Sequence, residues 1–72
     1  MSNESEFRID VGVLYRRYFR EILQEEVFSG RPIRWVEHKR WLDSTFRVRG
    51  PNQDVGAIAT RLQEYARALG AP

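Results

Sequence analysis

Arg31-Pro-Ile-Arg-Trp-Val-Glu-His-Lys-Arg40-Trp-Leu-Asp-Ser-Thr-Phe-Arg-Val-Arg-Gly50 is the stretch on which the reading of this chain turns. It is rich in β-branched and aromatic residues and reads as two strands, Ile33 to Glu37 and Trp41 to Arg49. A connection at His38-Lys39-Arg40 places Ile33 and Trp35 on one face with Leu42, Ser44, Phe46 and Val48. The other face then carries Arg34, Val36, Trp41, Asp43, Thr45, Arg47 and Arg49. A turn at Asp43-Ser44 has the better turn chemistry and would move Trp41 to the core face with Phe46. The two readings differ in which tryptophan is exposed, because a one-residue slip in a strand reverses every side chain. Balanced strand length favours the turn at 38–40.

Upstream, Asp10 has the chemistry of a helix N-cap. A helix started there places Val11, Leu14, Tyr15, Tyr18 and Ile22 on one face, with Phe19 and Leu23 on its flank. It should end near Phe28, with Ser29-Gly30 as a left-handed stop and Pro32 preventing resumption. Phe7, Ile9, Val11 and Val13 also alternate, so Phe7-Arg8-Ile9 is a candidate short strand. Residues 1–6 are polar and are expected to be disordered. Downstream, Gly50-Pro-Asn-Gln53 is a turn. Asp54 then caps a second helix carrying Val55, Ile58, Leu62 and Leu69 on a narrow apolar stripe, closed by Gly70-Ala-Pro72.

The expected fold is therefore α+β: a two-layer helix–strand–strand–helix domain over residues 7–70, with an antiparallel β-hairpin and an optional short N-terminal strand. Both helices should cover one face of the hairpin. The expected core is Leu14, Tyr18, Ile22, Ile33, Trp35, Leu42, Phe46, Val48, Val55, Ile58, Leu62 and Leu69.

Composition narrows the function. At 72 residues the chain supports one thin core. It has no cysteine, which removes disulfides and thiolate metal sites and fits a cytoplasmic setting. No stretch has the length of a membrane span, and the acidic start does not look like a secretory signal. His38, Asp43 and Ser44 are triad residue types, but Asp43 and Ser44 point to opposite faces of a strand. One histidine cannot close a metal site, and no phosphate-binding glycine loop is present. The reading is non-enzymatic, with no catalytic, cofactor or metal residues.

Charge is polarised along the chain. Residues 31–50 hold six basic and two acidic residues, whereas the whole chain has a formal net charge of only +2. Arg34, Val36, Lys39, Arg40, Trp41, Arg47 and Arg49 form the expected partner face. Arginines interleaved with an aromatic ring suit nucleic acid. An ordinary wet sheet face also carries charge, and open strand edges invite self-association. The expectation is a small protein-interaction or self-associating domain, with nucleic-acid binding through that face as the alternative.

Overall fold

A computed structural model describes residues 3–70. The elements run β1 (Glu4–Gly12), α1 (Arg16–Phe28), β2 (Arg34–Lys39), β3 (Asp43–Pro51) and α2 (Asn52–Ala68). The strands form one antiparallel sheet in the order β1-β3-β2, so the last strand in sequence lies between the first two. The arrangement is α+β, with the element order of a split β-α-β unit followed by a helix.

The hairpin faces are as expected, but the turn is not. Trp35 stands opposite Val48 and Lys39 opposite Ser44, and the turn spans Arg40 to Leu42. Ser44, Phe46 and Val48 are buried. Leu42, expected in the core, sits in the turn and is exposed, and Trp41 leaves the strand altogether.

The larger correction lies at the N-terminal side. β1 is nine residues long, not a short option, and begins at Glu4 inside the segment whose composition suggests disorder; residues 1 and 2 lie outside the described residues. Asp10 is a strand residue, not a helix cap. Phe7, Ile9 and Val11 face the core side, opposite Val48, Phe46 and Ser44 of β3. That pairing buries Val11 and packs Phe7 and Ile9 against the core. Local capping chemistry at Asp10 loses to this long-range pairing, since strand preference is decided largely by packing against neighbours.

The later start of α1 shifts its buried face. Phe19 and Leu23 are the fully buried residues of this helix, with Ile22 packed beside them. Leu14 and Tyr18, expected in the core, are exposed. α1 ends as its chemistry requires, with Gly30 at φ 102°, a left-handed conformation natural only to glycine. α2 begins at Asn52, with Pro51 in the capping position and no side-chain cap. Asp54 therefore lies within the first turn of α2 and does not cap it.

Both helices meet on β3. Phe19 of α1 stacks on Phe46 with ring centroids 6.4 Å apart, and Tyr65 of α2 lies 5.3 Å from Phe19. Val55, Ile58 and Leu62 complete the core. Gly50 marks a tight approach: a Cβ there would stand 2.9 Å from the Pro32 carbonyl oxygen and 3.2 Å from Ile33 Cγ2, too close for any larger residue without movement.

Polar groups near the core are matched in pairs. Glu37 lies on the helix side of β2 with its side chain 7% exposed. It accepts from Arg20 Nε at 2.8 Å and Arg20 Nη2 at 3.1 Å, and from Ser44 Oγ at 2.8 Å. The Arg20 hydrogen bond outweighs burial and holds the Glu37 carboxyl below the usual carboxylate range. At the C-terminal end of α1, burial works to raise Glu26. Hydrogen bonds from Arg31 and Arg61 overcome it and leave the carboxyl lowered. Arg31 also donates to Asp54 at 3.0 Å, which ties the loop before β2 to the start of α2.

Candidate functional site

The face of the sheet away from the helices is built in rows. Arg34, Arg49 and Glu6 stand side by side across β2, β3 and β1; Val36, Arg47 and Arg8 form the next row, and His38, Thr45 and Asp10 the third. This is where Arg34, Val36, Arg47 and Arg49 are expected, and the structure does bring them together. It also adds β1, which carries Glu4, Glu6 and Asp10 onto the same face.

Those carboxylates meet the arginines one by one. Glu6 accepts from Arg47 Nη2 at 2.9 Å and lies 3.5 Å from Arg8 and 3.7 Å from Arg49. Arg34 reaches Glu4 at 3.3 Å. Arg40 lies beyond the end of β2 and turns back onto the sheet, binding Asp43 at 2.7 Å, Asp10 at 3.3 Å and the Thr45 hydroxyl at 2.6 Å. The Arg47 hydrogen bond is the main cause that holds Glu6 lowered, and the Thr45 hydrogen bond does the same for Asp10. A wide, shallow depression of about 370 Å³ runs over Arg8, Val36, His38, Thr45 and Arg47. The arginine charge on this face is thus matched inside the molecule. Trp41 does not lie on this face, so the interleaving of arginine and aromatic ring expected there is not formed.

Trp41 stands instead at the end of the molecule. It is 91% exposed, Leu42 beside it 71%, and Leu14 in the loop between β1 and α1 78%. The two loops are joined: the Val13 amide donates to the Leu42 carbonyl at 3.0 Å, and Arg16 Nη1 donates to the Arg40 carbonyl at 3.4 Å. Val13 and Tyr15, both exposed, extend the apolar surface. Three cations are close to it in sequence: Lys39 at the end of β2, and Arg16 and Arg17 in the first turn of α1. Among the described residues none of the three forms an ion pair with a carboxylate; Arg17 lies over the Tyr18 ring at 5.2 Å.

The triad residue types are separated. Ser44 is fully buried and donates to Glu37, whereas Asp43 is engaged by Arg40 on the opposite face. His38 is exposed on the open face. Among the described residues no group of His, Asp and Glu has the geometry to hold a metal ion, and no helix is long and apolar enough to cross a membrane.

Lys39, Arg40 and Trp41 belong to the partner face expected from the sequence; Val13 and Tyr15 do not, and Leu14 and Leu42 are expected in the core instead. The signal that points the other way is the alternation from Phe7 to Val13. Taken as a full strand, it ends the sheet there and carries Leu14 into a loop. Comparison with known proteins returned no match to a family model, to a curated protein or to a solved structure. The fold defines the chain as a small α+β domain with one face of its sheet covered by helices, and the apolar end is its most distinctive surface.

Proposed function

We propose that this chain is a non-enzymatic protein-interaction domain that docks its partner on the end formed by Val13, Leu14, Tyr15, Trp41 and Leu42. The exposure of Trp41, Leu42 and Leu14 together carries this reading. A contiguous apolar surface on a domain this small costs solubility and marks an interaction site, and tryptophan is among the residues most enriched as anchors of such sites. Arg16, Arg17 and Lys39 are close in sequence to the patch and form no ion pair with a carboxylate among the described residues. Arg16, held at the joined loops by the Arg40 carbonyl, suits a partner segment that is apolar at its centre and acidic at its edge. A cytoplasmic setting is part of the proposal and rests on the cysteine-free composition.

Nucleic-acid binding through Arg34, Arg47, Arg49 and Trp41 draws no support from this geometry. The three arginines are engaged by Glu4 and Glu6, and Trp41 lies elsewhere. The experiment is photocrosslinking in cells, with a photoreactive residue placed in turn at positions 14, 41, 36 and 49. Protein crosslinks at 14 and 41, with little yield at 36 and 49, are the expected result. Crosslinks concentrated at 36 and 49, or crosslinks to nucleic acid, would overturn it.

A further inference from the structure

Among the described residues β1 pairs with one strand only, β3 at the centre of the sheet; on its other side the Gly12 carbonyl, at the end of the strand, accepts from the Tyr15 amide at 3.0 Å. The Asn52 amide donates to the Asn3 carbonyl and the Val13 amide to the Leu42 carbonyl, each continuing the β1–β3 ladder at one end. Backbone groups alternate sides along an antiparallel strand, so odd-numbered residues of β1 face β3. Glu6, Arg8 and Asp10 accordingly turn their amides and carbonyls to the free edge. This edge belongs to a nine-residue strand, longer than the six-residue β2 at the other side of the sheet. Phe7 and Ile9 beside it are only partly buried.

We infer that this edge is a self-recognition site, at which two copies pair β1 antiparallel about a two-fold axis through Ile9 to make a continuous six-stranded sheet. The register follows from charge and hydrogen bonding together. Outward-facing residues must pair with outward-facing residues, which leaves three central registers. An axis at Arg8 sets Arg8 against itself and Glu6 against Asp10, both repulsive. An axis at Phe7 matches Glu6 with Arg8 but sets Glu4 against Asp10 and Ile9 against Ser5.

An axis at Ile9 pairs Arg8 with Asp10 of the second copy twice, by symmetry, and leaves Glu6 opposite Gly12, whose carbonyl is held by the Tyr15 amide, so the ladder bonds fall on Arg8 and Asp10. On the core side it sets Ile9 against Ile9 and Phe7 against Val11, so the partly buried side chains gain apolar neighbours. Opposite-charge and apolar cross-strand pairs both stabilise a sheet, and an isologous contact of this kind closes at two copies. This surface is separate from the apolar end, so the dimer does not rest on the partner reading above.

The test is a charge swap read by sedimentation velocity over a wide concentration range. Wild type should show a concentration-dependent dimer. Arg8→Glu and Asp10→Arg, each alone, should weaken it roughly ten- to hundred-fold, since two symmetric pairs turn from attractive to repulsive. An equimolar mixture of the two variants should restore dimer, because every cross-strand pair in the mixed species is again opposite in charge.

Asp10 also binds Thr45 and Arg40, so a folding-independent readout on wild type accompanies the swap. Amide exchange at Arg8 and Asp10 should slow as concentration rises. A wild type that stays monomeric, exchange at these amides that ignores concentration, or folded variants whose mixture does not dimerise would each overturn the inference. So would a dimer that Trp41→Ser abolishes and Arg8→Glu leaves intact.

Discussion

Trp35 and Trp41 belong to one hairpin and meet opposite fates. Trp35 lies in the stem, packed on Phe46 with ring centroids 6.0 Å apart. Trp41 lies at the tip with 91% of its surface in solvent. The same contrast holds for charge. In the stem Glu37 has Arg20 and Ser44, and Arg34, Arg47 and Arg49 have Glu4 and Glu6. Around the tip Lys39, Arg16 and Arg17 form no ion pair with any carboxylate among the described residues. The lesson is that a stretch's formal charge does not make a binding face. What decides it is whether a distant strand, here β1, delivers counter-charges in register.

If stem and tip differ in this way, substitutions in the stem should cost stability and substitutions at the tip should cost only binding. The largest effect is expected for Phe46→Ala. Phe46 is fully buried and packs on the rings of Phe19 and Trp35. Its truncation should cost about 3–5 kcal/mol, a large part of the whole stability of a small domain, visible as loss of the cooperative unfolding transition.

Arg20→Ala comes next. It strands the nearly buried Glu37 carboxylate and should cost about 2–3 kcal/mol by chemical denaturation. That is near the low end for a broken buried pair, because Arg20 itself keeps 29% exposure.

The pH dependence sharpens the same point. Glu37 and Glu26 are both held below their ordinary values in the folded state. Their contribution is therefore fully present above the free carboxylate pKa of about 4.3. It is lost as pH falls through the lower folded values. Unfolding midpoints should drop in acid, and Arg20→Ala should show a shallower acid loss than wild type.

The smallest stability effect is expected at the tip. Trp41→Ser should change unfolding free energy by no more than about 0.5 kcal/mol while removing the partner crosslinks expected at position 14. A Trp41→Ser variant that unfolds as readily as Phe46→Ala would erase the distinction between stem and tip.

Much of the stem is legible in the amino-acid sequence alone. Alternation in residues 33–49 places Trp35, Phe46 and Val48 inward and Arg34, Arg47 and Arg49 outward, and the α2 stripe yields Val55, Ile58 and Leu62 directly. The ends of both helices are legible from Ser29-Gly30 and Gly70. What fails is phase and partnership. Asp10 has the local chemistry of a cap, but its neighbours Phe7, Ile9 and Val11 find Val48, Phe46 and Ser44 far away in sequence. No local pattern announces such a pairing. The same pairing brings Glu6 to Arg47 and Asp10 to Thr45, which turns an apparently basic face into a matched one. Leu14 is misplaced along with the helix phase, and the apolar end goes unrecognised with it.

The most direct test of the closed stem and open tip is fluorescence of two single-tryptophan variants, Trp35→Phe and Trp41→Phe, at low protein concentration with acrylamide as quencher. Trp41, alone in the first, should emit at the wavelength of a hydrated indole and be quenched freely. Trp35, alone in the second, should emit to the blue and be shielded. A shielded Trp41 beside a freely quenched Trp35 would mean the opposite hairpin register, and the tip would no longer be an exposed apolar surface.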